Sequence, residues 1–213
     1  MTVNHIFFPC GNIRIEGELQ LPEGNMPFPA VIICHPHPLF GGDMHNNVVL
    51  AICSALLKKS IAALRFNFRG VGNSGGSYGD GIGEKDDVKA ALDYLLTLDA
   101  IDSRRIGLAG YSFGGMVSAS VAVEEARIKQ LALVSPALHE NGWKQIKEYA
   151  RPKIILVGDA DTIVPFKPFQ RFLGNDKQYR IIAGADHSWW GFEEELGDII
   201  ACFFNNGFKI TAE

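Results

Sequence analysis

Apolar and polar residues alternate near the start of the chain. Ile13, Ile15, Leu19 and Leu21 interleave with Arg14, Glu16, Glu18 and Gln20, the period-2 pattern of a strand with one buried face. The Cys10-Gly11-Asn12 turn lets it pair with residues 5–9, so a short antiparallel hairpin is predicted. After that the pattern changes. Residues 30–34, 61–64, 106–109, 131–134 and 154–157 are nearly continuous apolar runs, and 179–183 is a weaker sixth. Strands buried on both faces read this way, as in a parallel sheet covered by helices. Helical spacing separates them: Val48, Ile52 and Leu56 lie four apart; Val88, Leu92, Leu95 and Leu96 form a stripe; Leu196, Ile199, Ile200, Phe203 and Phe204 form the last, stopped by Asn206-Gly207. Strand and helix in alternation predict an α/β sheet with right-handed crossovers. No repeat or linker interrupts it, so residues 1–213 are expected to form one domain.

Composition narrows the class without naming a function. A length of 213 residues, 47% of them hydrophobic, supports a sizeable core. The net charge of −4 and the lack of a basic block argue against nucleic-acid or anionic-membrane partners. The first residues lack the positive region and apolar stretch of a secretory leader, and no apolar run is long enough to span a bilayer. Cys10, Cys34, Cys53 and Cys202 are scattered, as reduced thiols in a cytoplasmic protein would be. Cys34 ends an apolar strand, which disfavours it as a nucleophile despite the adjacent His35.

In α/β sheets, ligands bind beyond the carboxyl ends of the strands, and three chemically capable residues fall there. Gly110-Tyr111-Ser112-Phe113-Gly114 follows the run at 106–109 and precedes small residues suited to a helix. A sharp strand-to-helix turn exposes the Ser112 hydroxyl, and flanking glycines allow close backbone packing. Residues 158–165, Gly-Asp-Ala-Asp-Thr-Ile-Val-Pro, follow another run and carry Asp159 and Asp161. Gly184-Ala185-Asp186-His187-Ser188 follows the last. A serine hydroxyl needs a base to remove its proton, and the base needs an acid to fix its tautomer. Ser112 and His187 fill the first two roles; Asp159, Asp161 and Asp186 are candidates for the third.

The order Ser…Asp…His, each past a strand end, resembles the α/β-hydrolase superfamily, over nearly the whole chain. The resemblance implies a mostly parallel twisted sheet of about eight strands with helices on both faces. It also selects Asp161, the second aspartate of the acid loop. One oxyanion donor is then the backbone N–H of Phe113. The other should come from His35-Pro36-His37-Pro38-Leu39-Phe40-Gly41-Gly42, where the prolines have no N–H and His37 remains. Much of the superfamily has His-Gly where this chain has His35-Pro36. The stretch is similar to small hydrolases near the dienelactone-hydrolase and esterase branch.

Only residues 135–153 separate two strands where many members insert a cap, so no lid is expected. The open site would be walled by Leu39, Phe40 and Trp189, with Trp190 either wall or core. His35, His37, His45 and Asp43 offer an H-x-H step, but read better as a loop shaping the oxyanion site than as a metal centre. Gly70-Val71-Gly72-Asn73-Ser74-Gly75 matches a dinucleotide fingerprint, yet helical spacing resumes only near Glu84. Neither metal nor cofactor is therefore expected. The expectation is a serine hydrolase of a small ester, thioester or lactone, with a small acyl substrate as partner and homo-oligomerisation left open. A peptidase with the same triad and a non-catalytic binding protein are the alternatives. With histidine as base, kcat/KM should fall as pH drops through the usual histidine range, near about 6.5.

Overall fold

The alternating residues form two strands, β1 (Thr2–Cys10) and β2 (Ile13–Leu21), paired antiparallel around Gly11, whose φ of 58° suits a residue without Cβ. The computed structural model describes residues 2–165, 170 and 179–210. The apolar runs form β3 (Phe28–Cys34), β4 (Ala62–Phe66), β5 (Ile101–Tyr111), β6 (Gln130–Val134), β7 (Lys153–Gly158) and β8 (Tyr179–Ile182). All eight join one sheet in the order β1-β2-β4-β3-β5-β6-β7-β8. From β4 to β8 every neighbouring pair is parallel, while β2 runs antiparallel to β4.

Helices cover both faces. On one, α1 (Asn47–Lys58) packs against α5 (Glu193–Ile210) over Val31, Ile33, Ala63, Ala109 and Leu156. The other face is covered by α2 (Gly83–Leu96), α3 (Phe113–Glu124) and α4 (Glu140–Glu148) over Ile32, Leu64, Leu108, Leu133 and Ile155. Alternate residues of one strand thus feed opposite cores, which is why the greater part of β3, β4, β6 and β7 reads as apolar runs. The connection from β6 to β7 holds α4 alone among the described residues, with no multi-helix cap.

Central β3 carries the weight of positioning. It pairs with β4 on one side and β5 on the other, and Cys34 lies in register with both Phe66 and Gly110. The loop leaving β3 therefore stands beside the turn leaving β5.

Candidate active site

Ser112 occupies the turn between β5 and α3 with φ 53° and ψ −115°, a left-handed conformation that costs a non-glycine residue energy. The surroundings hold it there. Its N–H donates to Val134 O (2.9 Å), and its carbonyl accepts from Met116 (3.1 Å) and Ala137 (3.0 Å). The flanking glycines are steric necessities. A Cβ on Gly110 would lie 2.3 Å from Gly114 O, and one on Gly114 would lie 2.4 Å from His35 O. Gly114 therefore lets α3 start against the end of β3. Ser112 is 8% exposed, so its hydroxyl is a small opening in a buried setting.

The hydroxyl meets His187. Ser112 Oγ lies 3.1 Å from His187 Nε2, and His187 Nδ1 lies 2.8 Å from Asp161 Oδ2. Asp161 Oδ1 accepts the N–H groups of Ile163 (3.0 Å) and Val164 (2.8 Å), which leaves Oδ2 for the imidazole. An ionised carboxylate facing Nδ1 makes that nitrogen the donor and Nε2 the acceptor. Burial pushes the Asp161 carboxyl up, but hydrogen bonds from His187 and Val164, helped by Ser135, outweigh it and hold the pKa below the ordinary aspartate value. The other acids serve elsewhere: Asp159 accepts Gly184 N–H, and Asp186 accepts Ser188 and Trp189 N–H groups, tying the histidine loop to itself.

The loop after β3 brings His37 to the same place. Its ring lies 4.8 Å from that of Phe113, the residue after Ser112. His35 Nε2 accepts Phe68 N–H (3.0 Å), so its Nδ1 carries the proton and donates to Pro36 O (2.7 Å). Burial pushes the His35 imidazole down to about 4, with the Pro36 carbonyl and Asp43 opposing the fall. With its peptide oxygen held by His35, the Pro36–His37 amide points its N–H the opposite way. Among the described residues, the N–H groups of His37 and Phe113 donate to no protein acceptor. Phe113 is also the first residue of α3, where the helix dipole favours negative charge.

The remaining sequence candidates scatter. Leu39 and Phe40 sit in the 3₁₀ turn after His37 and are exposed, Phe40 at 86%. Trp189 is not a wall of an open site: it is fully buried, with φ 59° and its Nε1–H on Ser135 Oγ (3.2 Å). The positive φ turns Trp189 inward, and Trp190 takes the surface, 71% exposed. His45 faces Glu18 (3.3 Å), away from the partners of His35 and His37. The Gly70–Gly75 loop is tied to β2 through Ser74 and Glu16, and α2 begins only at Gly83. Burial pushes the Cys34 thiol up to about 12, which suppresses the thiolate.

Three residues escaped the sequence reading. Tyr111, next to Ser112, donates its hydroxyl to His187 O (2.5 Å). Ser135, with φ 38° after β6, links Trp189 to Asp161. Tyr78 bonds His37 Nε2 at 3.2 Å. The serine after β6 shares the strand-end position that marked the triad candidates, and that position was its one available signal.

The chain is similar to several known proteins. A family profile described as PETase, PET hydrolase-like, matches residues 83–203. The structure of an alpha-beta serine hydrolase homologue from Coxiella burnetii is 35% identical, covers 95% of this chain and 97% of its own, and superposes with a TM-score of 0.85. An uncharacterized protein of Rickettsia prowazekii is 32% identical over 98% of this chain and 89% of its own length. Cutinase est1 of Thermobifida alba is 30% identical over 47% of this chain, a match that spans 37% of the cutinase.

Proposed function

Since this chain belongs to the PET hydrolase-like family, and is an α/β-hydrolase-type esterase, we propose that it cleaves a small carboxylic ester, thioester or lactone through an acyl-enzyme on Ser112. The observation that carries the reading is the unbroken series Ser112 Oγ, His187, Asp161, with links of 3.1 and 2.8 Å.

Each step uses a group already in position. Ser112 Oγ attacks the acyl carbon while its proton passes to His187 Nε2. Asp161, ionised, stabilises the resulting imidazolium. The carbonyl oxygen becomes an oxyanion and receives the N–H groups of Phe113 and His37, an interaction that grows as charge develops. When the intermediate collapses, His187 returns its proton to the departing alcohol or thiol. Water then repeats the sequence against the acyl-enzyme: His187 takes its proton, and Ser112 leaves reprotonated with the acid released. Leu39, Phe40, Ile163 and Trp190 present exposed apolar surface on loops at this end of the sheet, which suits a short acyl group reached directly from solvent.

Replacing Ser112 with Ala tests the reading. Hydrolysis of 4-nitrophenyl acetate should fall by about 10⁴-fold or more while the thermal unfolding transition remains. Turnover near the wild-type rate would remove Ser112 as nucleophile.

A further inference from the structure

The loop between β4 and α2 carries a tyrosine that reaches His37 on the proposed oxyanion side of the site. Tyr78 Oη lies 3.2 Å from His37 Nε2 and 3.2 Å from Asp80 Oδ1. His37 Nδ1 accepts Leu39 N–H (3.2 Å), so in the neutral ring Nε2 carries the proton. The proton order follows: His37 Nε2–H donates to Tyr78 Oη, and the Tyr78 hydroxyl donates to Asp80. Burial and the Asp80 carboxylate push the Tyr78 phenol upward, which keeps it a donor.

His37 is therefore gripped at each polar atom but one. Its carbonyl accepts from Phe40 (3.1 Å) and Gly42 (3.0 Å), and its two ring nitrogens are engaged by Leu39 and Tyr78. Only the backbone N–H is left over among the described residues. His35 sets the plane of the Pro36–His37 peptide through Pro36 O, and the Tyr78 bond fixes the His37 ring and with it the Cα to which that N–H is attached, so the N–H is held from both ends. The Tyr78 ring also packs 5.2 Å from His37 and 5.8 Å from Phe113, so it touches the residues of both oxyanion donors.

The loop is built to keep Tyr78 there. Glu84, fully buried at the start of α2, accepts the N–H groups of Gly79 (2.7 Å) and Gly81 (2.8 Å) on either side of Asp80. Asp80 has φ 55° and Gly81 φ 77°, a left-handed pair at the turn that brings the Gly79 and Gly81 N–H groups, either side of Asp80, onto one carboxylate.

We propose that Tyr78 is a positioning residue for oxyanion stabilisation, acting through the His37 side chain to hold the His37 N–H on the developing charge, with Asp80 orienting the Tyr78 hydroxyl. This rests on the serine-hydrolase reading above. An oxyanion contact matters chiefly in the transition state, so its loss lowers kcat and leaves KM near its starting value.

The test is Tyr78→Phe, which keeps the ring packing and removes the hydroxyl. With 4-nitrophenyl acetate, kcat should fall about tenfold and KM change by less than about twofold. Inactivation by diethyl 4-nitrophenyl phosphate, whose phosphoryl oxygen enters the same site, should slow by the same factor. A packing role alone would shift the unfolding temperature or KM without that matched loss. Asp80→Asn keeps both an acceptor and a residue type tolerant of positive φ, and should retain activity; Asp80→Gly relieves the backbone but removes the acceptor, and should behave like Tyr78→Phe. The Asp80 pair carries the test should Tyr78→Phe fail to fold. Unchanged kcat in Tyr78→Phe or in Asp80→Gly, or a change confined to KM, would overturn the assignment. Ester turnover surviving in Ser112→Ala would sink the underlying reading instead, whereas a dead Ser112→Ala beside an unimpaired Tyr78→Phe sinks only the role of Tyr78.

Discussion

Asp161 divides its carboxylate between two sets of partners, one oxygen on the Ile163 and Val164 amides and the other on His187. Asp161→Asn keeps the shape but places an amide where only an acceptor serves. If its NH₂ faces Nδ1, the imidazole must put its proton on Nε2 and can no longer accept from Ser112. The expected outcome is a loss of about 10⁴ in kcat with the fold retained, measured by steady-state ester hydrolysis beside thermal unfolding. A variant within about tenfold of wild type would mean that Asp161 does not set the tautomer. At this scale the sequence was informative where a residue lies shortly past a strand end, as Ser112 does after Tyr111, Asp161 after Gly158 and His187 after Ile182. It was silent on Tyr78, whose role exists only once the chain returns 41 residues after His37. It also misplaced Trp189: two adjacent tryptophans give no sign of which turns inward, and a positive φ at the first decides it.

Among the elements, the contact between β3 and α3 closely constrains the site. Gly114 has no room for a methyl group, with His35 O at 2.4 Å and Cys34 O at 2.5 Å from an added Cβ. These are backbone atoms of the central strand and cannot swing aside. Gly114→Ala should therefore destabilise the protein by about 1–3 kcal/mol, measured by urea unfolding. It should also lower kcat, because the strain falls between Phe113 and the loop carrying His37, the residues proposed to supply the oxyanion donors. Unchanged stability would mean that the strand and helix have slack. The hairpin and the buried strands were legible because period 2 and continuous apolar runs are direct images of one-sided and two-sided burial. The full length of β5 was not. Asp102, Ser103, Arg104 and Arg105 interrupt its apolar pattern, yet the strand begins at Ile101 because Asp102 pairs with both arginines. The antiparallel join of β2 to β4 was equally hidden, since nothing local to either strand encodes its neighbour.

Over the whole molecule, the buried neutral His35 couples the fold to pH. Its pKa falls from an ordinary 6.5 to about 4 on folding, so between these values the unfolded chain binds more protons. The stabilisation is complete above pH 6.5 and is lost as pH falls to about 4, a change of about 3 kcal/mol. Asp161 extends the trend to lower pH: held below its ordinary value, it contributes stability above the normal aspartate range and loses it as pH falls through its folded value. Urea unfolding at a series of pH values should show the slope, and His35→Gln should flatten its upper part; an unchanged slope in that variant would assign the effect to another group. The most direct test of the central claim is covalent. A fluorophosphonate probe should inactivate the enzyme with one equivalent bound, and peptide mass spectrometry should find the adduct on Ser112. Ester turnover continuing after Ser112 is fully modified, or complete inactivation with the adduct on another residue, would contradict the account.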